Sequence, residues 1–500
     1  MKKLPIPAPL RRPVCAGVSL VMAALFALIF MGSNSPLGPA IGSDNAIYLT
    51  MGTALKNGYA PYTQVFDHKG PMLFLLETIP QLFTGGYSTL AVFVMEALFL
   101  WGCLLLIGTI ARHFGVAGVP AQLVFLLFLA PAIDGGNYCE EYSNLFTLLG
   151  ALLLLRAFDR ERQPGGAKAY FIPALLFGAA FMVSFLIRAN NILPMAGMLA
   201  GCALWLLIEK KFAVVGVCAG GFALGLAAAA LPVALWLHSQ DALGAAIYGA
   251  FVHNMMYAET GAISRVHMLL RDPYGYWAIA MAALACLGGA AHAYARKKPM
   301  FLIAMVLGAA GAGYAAFISH KFYSHYLMVS APLAAVGAAM SLGAMKEKGV
   351  RLPVLAVCAA CAACALALGH YAVRENAERA EQHDVFLALE ENTHALLAHV
   401  PEEERLEILG YRTEPKWYVA AEAMPYLKYY FLQEILGQAD PIVMDEIVQA
   451  LHADPPKWLV IFYNRPFGPP YDERVQEIFS TQYEFVDARG EYQLLRLKDE

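Results

Sequence analysis

Long runs of apolar residues recur through the first three-quarters of this chain, and they constrain its fold more than any other feature. About 20 apolar residues are what an α-helix needs to cross the hydrocarbon core of a membrane. The chain has 500 residues, of which 59% are hydrophobic and only 15% are charged. This composition is typical of membrane proteins and excludes an ordinary soluble domain of the same size. We therefore predict an all-α polytopic membrane protein.

Lysine and arginine residues at the ends of the apolar runs predict the topology, because basic residues are retained on the cytoplasmic side. By this rule the chain is a multi-pass cell-membrane protein that crosses about eleven times, with a cytoplasmic amino terminus and an extracytoplasmic carboxyl terminus. The first run is interpreted as a retained anchor. The predicted spans are 14–32, 89–111, 116–133, 144–158, 170–187, 191–208, 212–237, 274–295, 299–318, 327–345 and 352–371.

Residues 1–372 form the predicted membrane module. In the first outer loop, residues 44–57 have helical spacing and end at an Asn-Gly pair, which is a helix C-terminal signal. The apolar stretch 70–84 is too short for a span, so we expect a helix at the membrane interface. The predicted outer loops of the module are 33–88, 134–143, 238–273 and 319–326.

Residues 373–500 differ in composition and are predicted to form a small, soluble, extracytoplasmic α/β domain. From residue 371 onward the chain carries 12 Lys and Arg against 25 Asp and Glu, a net charge of −13, whereas the preceding residues sum to +9. A charged helical stretch at 374–400 opens this segment. The further predicted elements are strands near 406–409, 458–462, 483–487 and 491–497, and helices near 441–452 and 471–480.

Charged and polar side chains gather in the predicted outer loops, beside a membrane where charge is costly and is retained mainly for function. Acids there can take a proton from an attacking hydroxyl group, with or without a divalent cation, and we expect those of the first two loops to converge. Basic and polar groups can hold a phosphate as its charge develops. The candidate acids are Asp44, Asp67, Glu140 and Glu141, and the candidate phosphate-binding residues are Lys69, His68, Arg188, Arg265, Arg271, Lys321, His325 and Tyr326.

The order of these elements resembles the GT-C glycosyltransferases. The nearest likeness is to family 39, which includes the protein O-mannosyltransferases and the bacterial aminoarabinose and lipopolysaccharide-core sugar transferases. Over residues 14–345 the likeness rests on an early acidic residue, the Asp-His-Lys-Gly-Pro element at 67–71, a second acidic loop and a late Lys…His-Tyr loop. The chain departs from the family in having Lys-Gly-Pro for the more usual Lys-Pro-Pro, and Asn for Glu after Asp44.

This resemblance implies a membrane enzyme that transfers a sugar, with inversion, from a polyprenyl-phosphate donor to an acceptor hydroxyl on the outer face. The implied acceptor is a glycan, lipid or protein of the cell envelope, and no nucleic acid is involved. Family members differ in their need for a metal, so a divalent cation is left open. The positions that resemble family residues are Asp44 for the catalytic acid, Asp67 and Lys69 for the acid–lysine pair, Glu140 or Glu141 for the second acid, and Lys321 for a late cation.

Two other functions fit a polytopic chain with charged loops. It could be a transporter or a lipid-carrier flippase, or an inactive relative that serves as a scaffold. Transporters commonly contain internal repeats and helices broken at the membrane midplane. We find no convincing repeat, and the charges collect at one predicted face. The pattern therefore favours the glycosyltransferase.

Overall fold

Helices make up nearly all of the chain before its acidic C-terminal segment. The computed structural model describes residues 8–159, 166–259, 273–319, 323–350, 353–462 and 471–499, together with His267 and Leu269. The helices are α1 (Ala8–Phe30), α2 (Ser43–Lys56), α3 (Pro71–Gln81), α4 (Thr89–His113), α5 (Val119–Leu129), α6 (Cys139–Phe158), α7 (Phe171–Ile187), α8 (Leu193–Ile208), α9 (Phe212–Ser239), α10 (Leu243–Ile247), α11 (Asn254–Glu259), α12 (Pro273–Arg296), α13 (Pro299–Phe317), α14 (Ala331–Glu347) and α15 (Val354–Leu397).

Within the described residues, eight helices are long and apolar enough to cross a membrane. Each overlaps a predicted span, although the last of them extends well beyond it. The other three predicted spans correspond to the shorter apolar helices Val14–Phe30 and Val119–Leu129 and to α6. The prediction of an all-α polytopic membrane protein is confirmed. Which face of the membrane each terminus occupies stays a prediction.

Two predicted helix boundaries are wrong. The second acidic loop was expected to extend to residue 143, but α6 begins at Cys139, so Glu140 and Glu141 lie in its first turn. The helix can start this early because the backbone N–H of Tyr138 donates to Oε1 of Glu141 at 2.9 Å, which satisfies an open donor at the helix terminus. The predicted break after residue 371 is absent. No proline interrupts the sequence there, and α15 is one helix of 44 residues.

By its internal contacts the chain divides into two compact units, each made of three segments. Unit 1 consists of Met1–Gly32, Phe93–Pro232 and Ala262–Asn376. Unit 2 consists of Ser33–Val92, Val233–Gly261 and Ala377–Glu500. The C-terminal segment therefore shares a unit with the first predicted outer loop and with residues 238–261 of the third. The domain boundary at 372/373 stays a prediction.

The most deeply buried helix of unit 1 is α14, which contacts α12 at a pair of glycines. The apolar stretch Ser324–Glu347 that contains α14 is 89% buried. A Cβ atom added to Gly288 of α12 would lie 2.2 Å from the carbonyl oxygen of Gly337 in α14. Such close backbone approach through small residues is typical of helix contacts in membrane proteins.

Unit 2 contains a four-stranded sheet of order β1-β2-β4-β3. Strand β1 runs parallel to β2, whereas β4 pairs antiparallel with both β2 and β3. The predicted small α/β fold of the C-terminal segment is confirmed. Its strands are β1 (Ile408–Tyr411), β2 (Trp458–Phe462), β3 (Tyr483–Arg489) and β4 (Tyr492–Leu497), and its helices are α16 (Pro415–Ala420), α17 (Gln433–Ala439), α18 (Ile442–Ala453) and α19 (Glu473–Gln482).

The C-terminal segment of unit 2 packs directly on the first predicted outer loop. The buried hydroxyl of Tyr430 donates to the carbonyl of Ile47 in α2 at 3.3 Å. The backbone N–H of Phe66 donates to the carbonyl of Lys428 at 3.0 Å. These bonds fix the segment that carries several candidate site residues.

The contact between α12 and α14 can be tested by adding one methyl group. We expect Gly288→Ala to lower the free energy of unfolding by about 1–3 kcal/mol, because the new Cβ must displace rigid backbone. Thermal unfolding in detergent measures the change. The matched control is Gly313→Ala, since a Cβ at that helical position meets nothing within 4 Å. Equal stability of the two variants would contradict the described contact.

Candidate functional site

In unit 2, Asp67, His68 and Lys69 form a buried polar cluster immediately before α3. Nδ1 of His68 lies 3.2 Å from Oδ1 of Asp67, and the ammonium of Lys69 lies 3.1 Å from Nε2 of the same ring. Asp67 is fully buried and Lys69 is 8% exposed. An ammonium can donate to Nε2 only if that nitrogen is unprotonated. The geometry therefore requires a neutral His68 with its proton on Nδ1, facing Asp67.

The electrostatics of the cluster agree with this protonation state. Burial lowers the pKa of His68, and the neighbouring Lys69 charge lowers it further, while Asp67 opposes the shift. Burial alone would raise the pKa of Asp67, but Lys69 and His68 outweigh it and hold that pKa below its ordinary value. At neutral pH the cluster thus consists of a carboxylate, a neutral imidazole and an ammonium.

A tight turn and a π-helical segment hold the cluster in place. The hydroxyl of Tyr62, a residue with a φ of 64°, donates to the carbonyl of Lys69 at 2.7 Å. The π-helix Tyr248–His253 approaches this turn so closely that a Cβ at Gly249 would lie 2.9 Å from the Phe66 ring. π-Helical turns are frequent at functional sites. Glycine at position 249 therefore allows the π-helix to pack closely against the turn that contains Tyr62 and Phe66.

Two further polar residues of unit 2, His253 and Asp440, adjoin the cluster. The buried ring of His253 is centred 6.4 Å from that of His68, and its Nδ1 lies 3.7 Å from Oδ2 of Asp440. Tyr248 donates its hydroxyl to the same carboxylate. Burial lowers the pKa of His253, although Asp440 opposes this shift. The C-terminal segment thus contributes a carboxylate to the surroundings of His68.

Asp44 stands in the first turn of α2 and is partly exposed. It makes no hydrogen bond or ion pair with any other described residue. Tyr48 lies one turn further along the same helix face, and the ammonium of Lys69 is 5.8 Å from its ring centroid. The Lys69 ammonium therefore lies beside the face of α2 that carries Asp44 and Tyr48. A carboxylate at a helix N-terminus is favoured by the helix dipole.

In unit 1, Glu140 and Arg188 form a buried ion pair. Arg188 ends α7, and its guanidinium carbon lies 4.2 Å from the ring centroid of Tyr326. Asn191 donates to the hydroxyl of Ser143 in α6 at 3.0 Å, which fixes the connection after Arg188 against the start of α6. Glu140 of α6, Tyr326 and the connection fixed by Asn191 thus orient the guanidinium group of Arg188.

Glu141, the neighbour of Glu140, and His325, the neighbour of Tyr326, make different contacts. The ring of His325 stacks on that of Tyr138, with centroids 3.9 Å apart and an angle of 11° between the planes. Glu141 accepts the helix-capping hydrogen bond of Tyr138. Glu141 therefore has a structural role at the start of α6.

The candidate residues fall into two groups that belong to different units. Unit 2 holds Asp44 with the Asp67–Lys69 cluster, and unit 1 holds Glu140, Glu141, Arg188, His325 and Tyr326. The convergence of Asp44 with Glu140 or Glu141 stays a prediction. Arg265, Arg271 and Lys321 lie outside the described residues.

His253 and Asp440 were not predicted from the sequence. His253 lies in a predicted outer loop, and its position there was the one available signal. Asp440 belongs to the acidic segment, where one carboxylate among many carries no local pattern. The described part of the chain contains no group of three or more His, Cys, Asp or Glu residues that could hold a metal ion.

The neutral state of His68 predicts a pH dependence of stability. A group whose pKa is lowered on folding stabilises the protein fully above its ordinary pKa of about 6.5, and this stabilisation is lost as the pH falls below that value. We therefore expect thermal stability in detergent to decrease between about pH 7 and pH 5, and less so in His68→Gln. The exposed His452 supplies the control, because His452→Gln should keep the wild-type dependence. An unchanged pH dependence in His68→Gln would show that His68 does not titrate as described.

Solved structures with this architecture are known. ArnT from Cupriavidus metallidurans bound to undecaprenyl phosphate has a TM-score of 0.59 and 12% identity, covering 95% of this chain and 97% of that chain. Its apo form gives 0.55 and 13%, covering 96% and 98%. The apo oligosaccharyltransferase of Archaeoglobus fulgidus gives 0.51 and 14%, covering 89% of this chain and 69% of the other.

Identities this low establish likeness of fold alone. No family model matches the chain, and no curated protein matches it significantly in sequence. The structural likeness nevertheless extends over nearly the whole chain, and both ArnT and the oligosaccharyltransferase are GT-C glycosyltransferases. The chain therefore has the fold of these solved structures, which is the fold that the resemblance in the sequence implied.

Proposed function

We propose that this chain is an integral membrane glycosyltransferase that moves a sugar from a polyprenyl-phosphate donor to an acceptor hydroxyl, with inversion. The observation that carries the proposal is the buried cluster of Asp67, His68 and Lys69 at the start of α3, in a chain with the GT-C fold. Burying an ammonium is costly, and a site that binds a phosphate gains from having one.

The known structures support the choice of donor. The ArnT neighbour is described as bound to undecaprenyl phosphate, and the archaeal neighbour is an oligosaccharyltransferase. We infer by analogy a polyprenyl-linked sugar for this chain. The acceptor would be a glycan, lipid or protein of the cell envelope, reached on the outer face, with the amino terminus cytoplasmic and the C-terminal segment extracytoplasmic.

In this proposal Asp44 is the general base. Its carboxylate takes the proton of the acceptor hydroxyl while the acceptor oxygen bonds to the anomeric carbon of the sugar. The bond from that carbon to the phosphate oxygen breaks at the opposite side, so the configuration inverts and polyprenyl phosphate leaves. The absence of any hydrogen bond or ion pair from Asp44 to the other described residues supports this choice, because its oxygens are available to an acceptor.

The other acids are assigned to positioning. Asp67 faces Nδ1 of His68 and thereby fixes the tautomer whose Nε2 meets Lys69. Glu140 is engaged by Arg188 in a buried pair, and Glu141 caps α6. Oxygens occupied in this way are not available to accept the proton of an acceptor hydroxyl.

The cations are assigned to the donor phosphate. Lys69 neutralises charge as it develops on the leaving group, and His68 orients its ammonium. We include Arg188, Arg265, Arg271, Lys321, His325 and Tyr326 in the proposed phosphate site from their sequence positions alone. The need for a divalent cation is left open.

The role of Asp44 can be separated from a structural one. Asp44→Asn preserves size and most hydrogen bonding but cannot take a proton, so we expect transfer from polyprenyl-phosphate sugars to fall about 10²–10⁴-fold. Donor binding and expression should change little, because the phosphate is assigned to other residues. Asp241→Asn, in an exposed turn of the same unit, is the control. Full activity of Asp44→Asn would remove Asp44 from the mechanism.

The role of Lys69 makes a second prediction. Loss of a charge-assisted hydrogen bond to phosphate removes about 1.5–3 kcal/mol, so Lys69→Ala should bind donor roughly 10- to 100-fold more weakly. A donor-binding assay on purified protein measures this change. The control is Lys457→Ala, at an exposed lysine on the C-terminal sheet. Wild-type donor binding by Lys69→Ala would refute the assignment, and movement of the lipid across vesicles without sugar transfer would indicate a flippase.

A further inference from the structure

An apolar cavity of about 230 Å³ lies inside unit 1, away from every residue assigned to catalysis. It opens among the last turns of α6 and α8 and the first turns of α7 and α9. Its walls are aliphatic and aromatic, apart from the edges of Tyr170 and two cysteines. An apolar cavity of this kind does not hold ordered water and is suited to hydrocarbon. The lining includes Leu154, Phe177, Leu206 and Phe222.

The cavity lies at the opposite end of α6 from the ion pair of Glu140 and Arg188. Glu140 is in the first turn of α6, whereas the cavity begins at Leu153 and ends at Phe158. Because an α-helix rises 1.5 Å per residue, Ala157 lies about 25 Å along the helix axis from Glu140. This distance is most of the thickness of a hydrocarbon core. The part of α6 that lines the cavity is therefore far from the ion pair of Glu140 and Arg188.

Exposed lysines lie at the helix ends that adjoin the cavity lining, and we take this end as the mouth of the cavity. Lys210 and Lys211 are exposed, and their backbone N–H groups donate to Leu207 and Leu206 at 3.0 and 2.9 Å. Because Leu206 lines the cavity, both lysines are fixed within one helical turn of its wall. Lys168 is exposed in the 3₁₀ turn that carries the lining residue Tyr170.

The local charge at this mouth is positive. Arg156, exposed in the last turn of α6, adds a fourth cation. Two described acids are near in sequence: Glu209 precedes Lys210, and Asp159 is already paired with Arg296 and Lys298. Basic residues at helix ends also mark the cytoplasmic side of membrane proteins. Basic pockets between transmembrane helices on that side are known to bind anionic headgroups.

We propose that this cavity binds an anionic phospholipid of the cytoplasmic leaflet. One acyl chain occupies the apolar cavity, and the phosphate pairs with Lys210, Lys211 and Lys168. The combination of a hydrocarbon-lined cavity and cations at its mouth matches a lipid with an acyl chain and a negative headgroup. We assign a phospholipid in preference to the polyprenyl-phosphate carrier, because Arg188 of the proposed carrier phosphate site lies at the other end of α6.

Native mass spectrometry of the full chain in detergent tests the proposal. The probes are phosphatidylglycerol and phosphatidylcholine with the same acyl chains, and undecaprenyl phosphate. We expect wild-type protein to retain phosphatidylglycerol in about tenfold preference to phosphatidylcholine, as expected for two or three nearby cations. Comparable retention of the two phospholipids, or stronger retention of undecaprenyl phosphate, would overturn the proposal.

Two pairs of variants locate the bound lipid. Ala203→Trp should fill the cavity and abolish phospholipid retention, whereas Leu204→Trp is the control, since Leu204 is 47% exposed on the same helix and does not line the cavity. The double variant Lys210→Gln and Lys211→Gln should abolish the preference for the anionic lipid. Lys297→Gln, at an exposed helix end elsewhere in unit 1, should keep it.

The lysine variants keep the proposal falsifiable if Ala203→Trp does not fold. They change only exposed side chains and are expected to leave thermal stability unchanged. An anionic preference that survives their replacement would refute the proposed headgroup contacts. A well-folded Ala203→Trp that retains phospholipid as Leu204→Trp does would refute the proposed acyl-chain site.

Discussion

The buried contact between the ammonium of Lys69 and the neutral ring of His68 is the interaction on which the rest of unit 2 depends. A cation removed from water is stable only where other groups replace its hydration. Here Nε2 of His68 lies 3.1 Å from the ammonium, the ring of Tyr48 is centred 5.8 Å from it, and the nearby charge of Asp67 attracts it. The C-terminal segment closes on the turn at Tyr62 through Phe66. Segments far apart in sequence are thus assembled around one charged side chain.

Much of the fold could be predicted because hydrocarbon imposes a simple requirement on sequence. A span must be apolar over a fixed length, so the eight membrane-crossing helices among the described residues follow the apolar runs. The two wrong helix boundaries have local causes. The start of α6 depends on one hydrogen bond from Tyr138, and α15 continues because a change from apolar to charged residues does not by itself end a helix. Neither cause is visible in hydropathy.

The candidate site was predictable only where its residues are close in sequence. Asp67, His68 and Lys69 are consecutive, and the structure joins them directly. The pairing of Glu140 with Arg188 could not be derived, because it depends on how α6 packs against α7. Asp440 was missed for the same reason, since its relation to His253 exists only after the C-terminal segment has folded. Local pattern identifies candidate chemistry, but tertiary packing decides which partner each group receives.

The different contacts of Glu140 and Glu141 have an evolutionary consequence. Glu140 reaches a guanidinium on another helix, so its length matters and a change there would require a compensating change at Arg188. Glu141 accepts from a backbone N–H group three residues earlier, a task that Gln can also perform at this position. Among diverged homologues, positions 140 and 188 should therefore covary, while position 141 should vary between Glu and Gln. Glu140 and Glu141, although adjacent and identical, would therefore be under different selection.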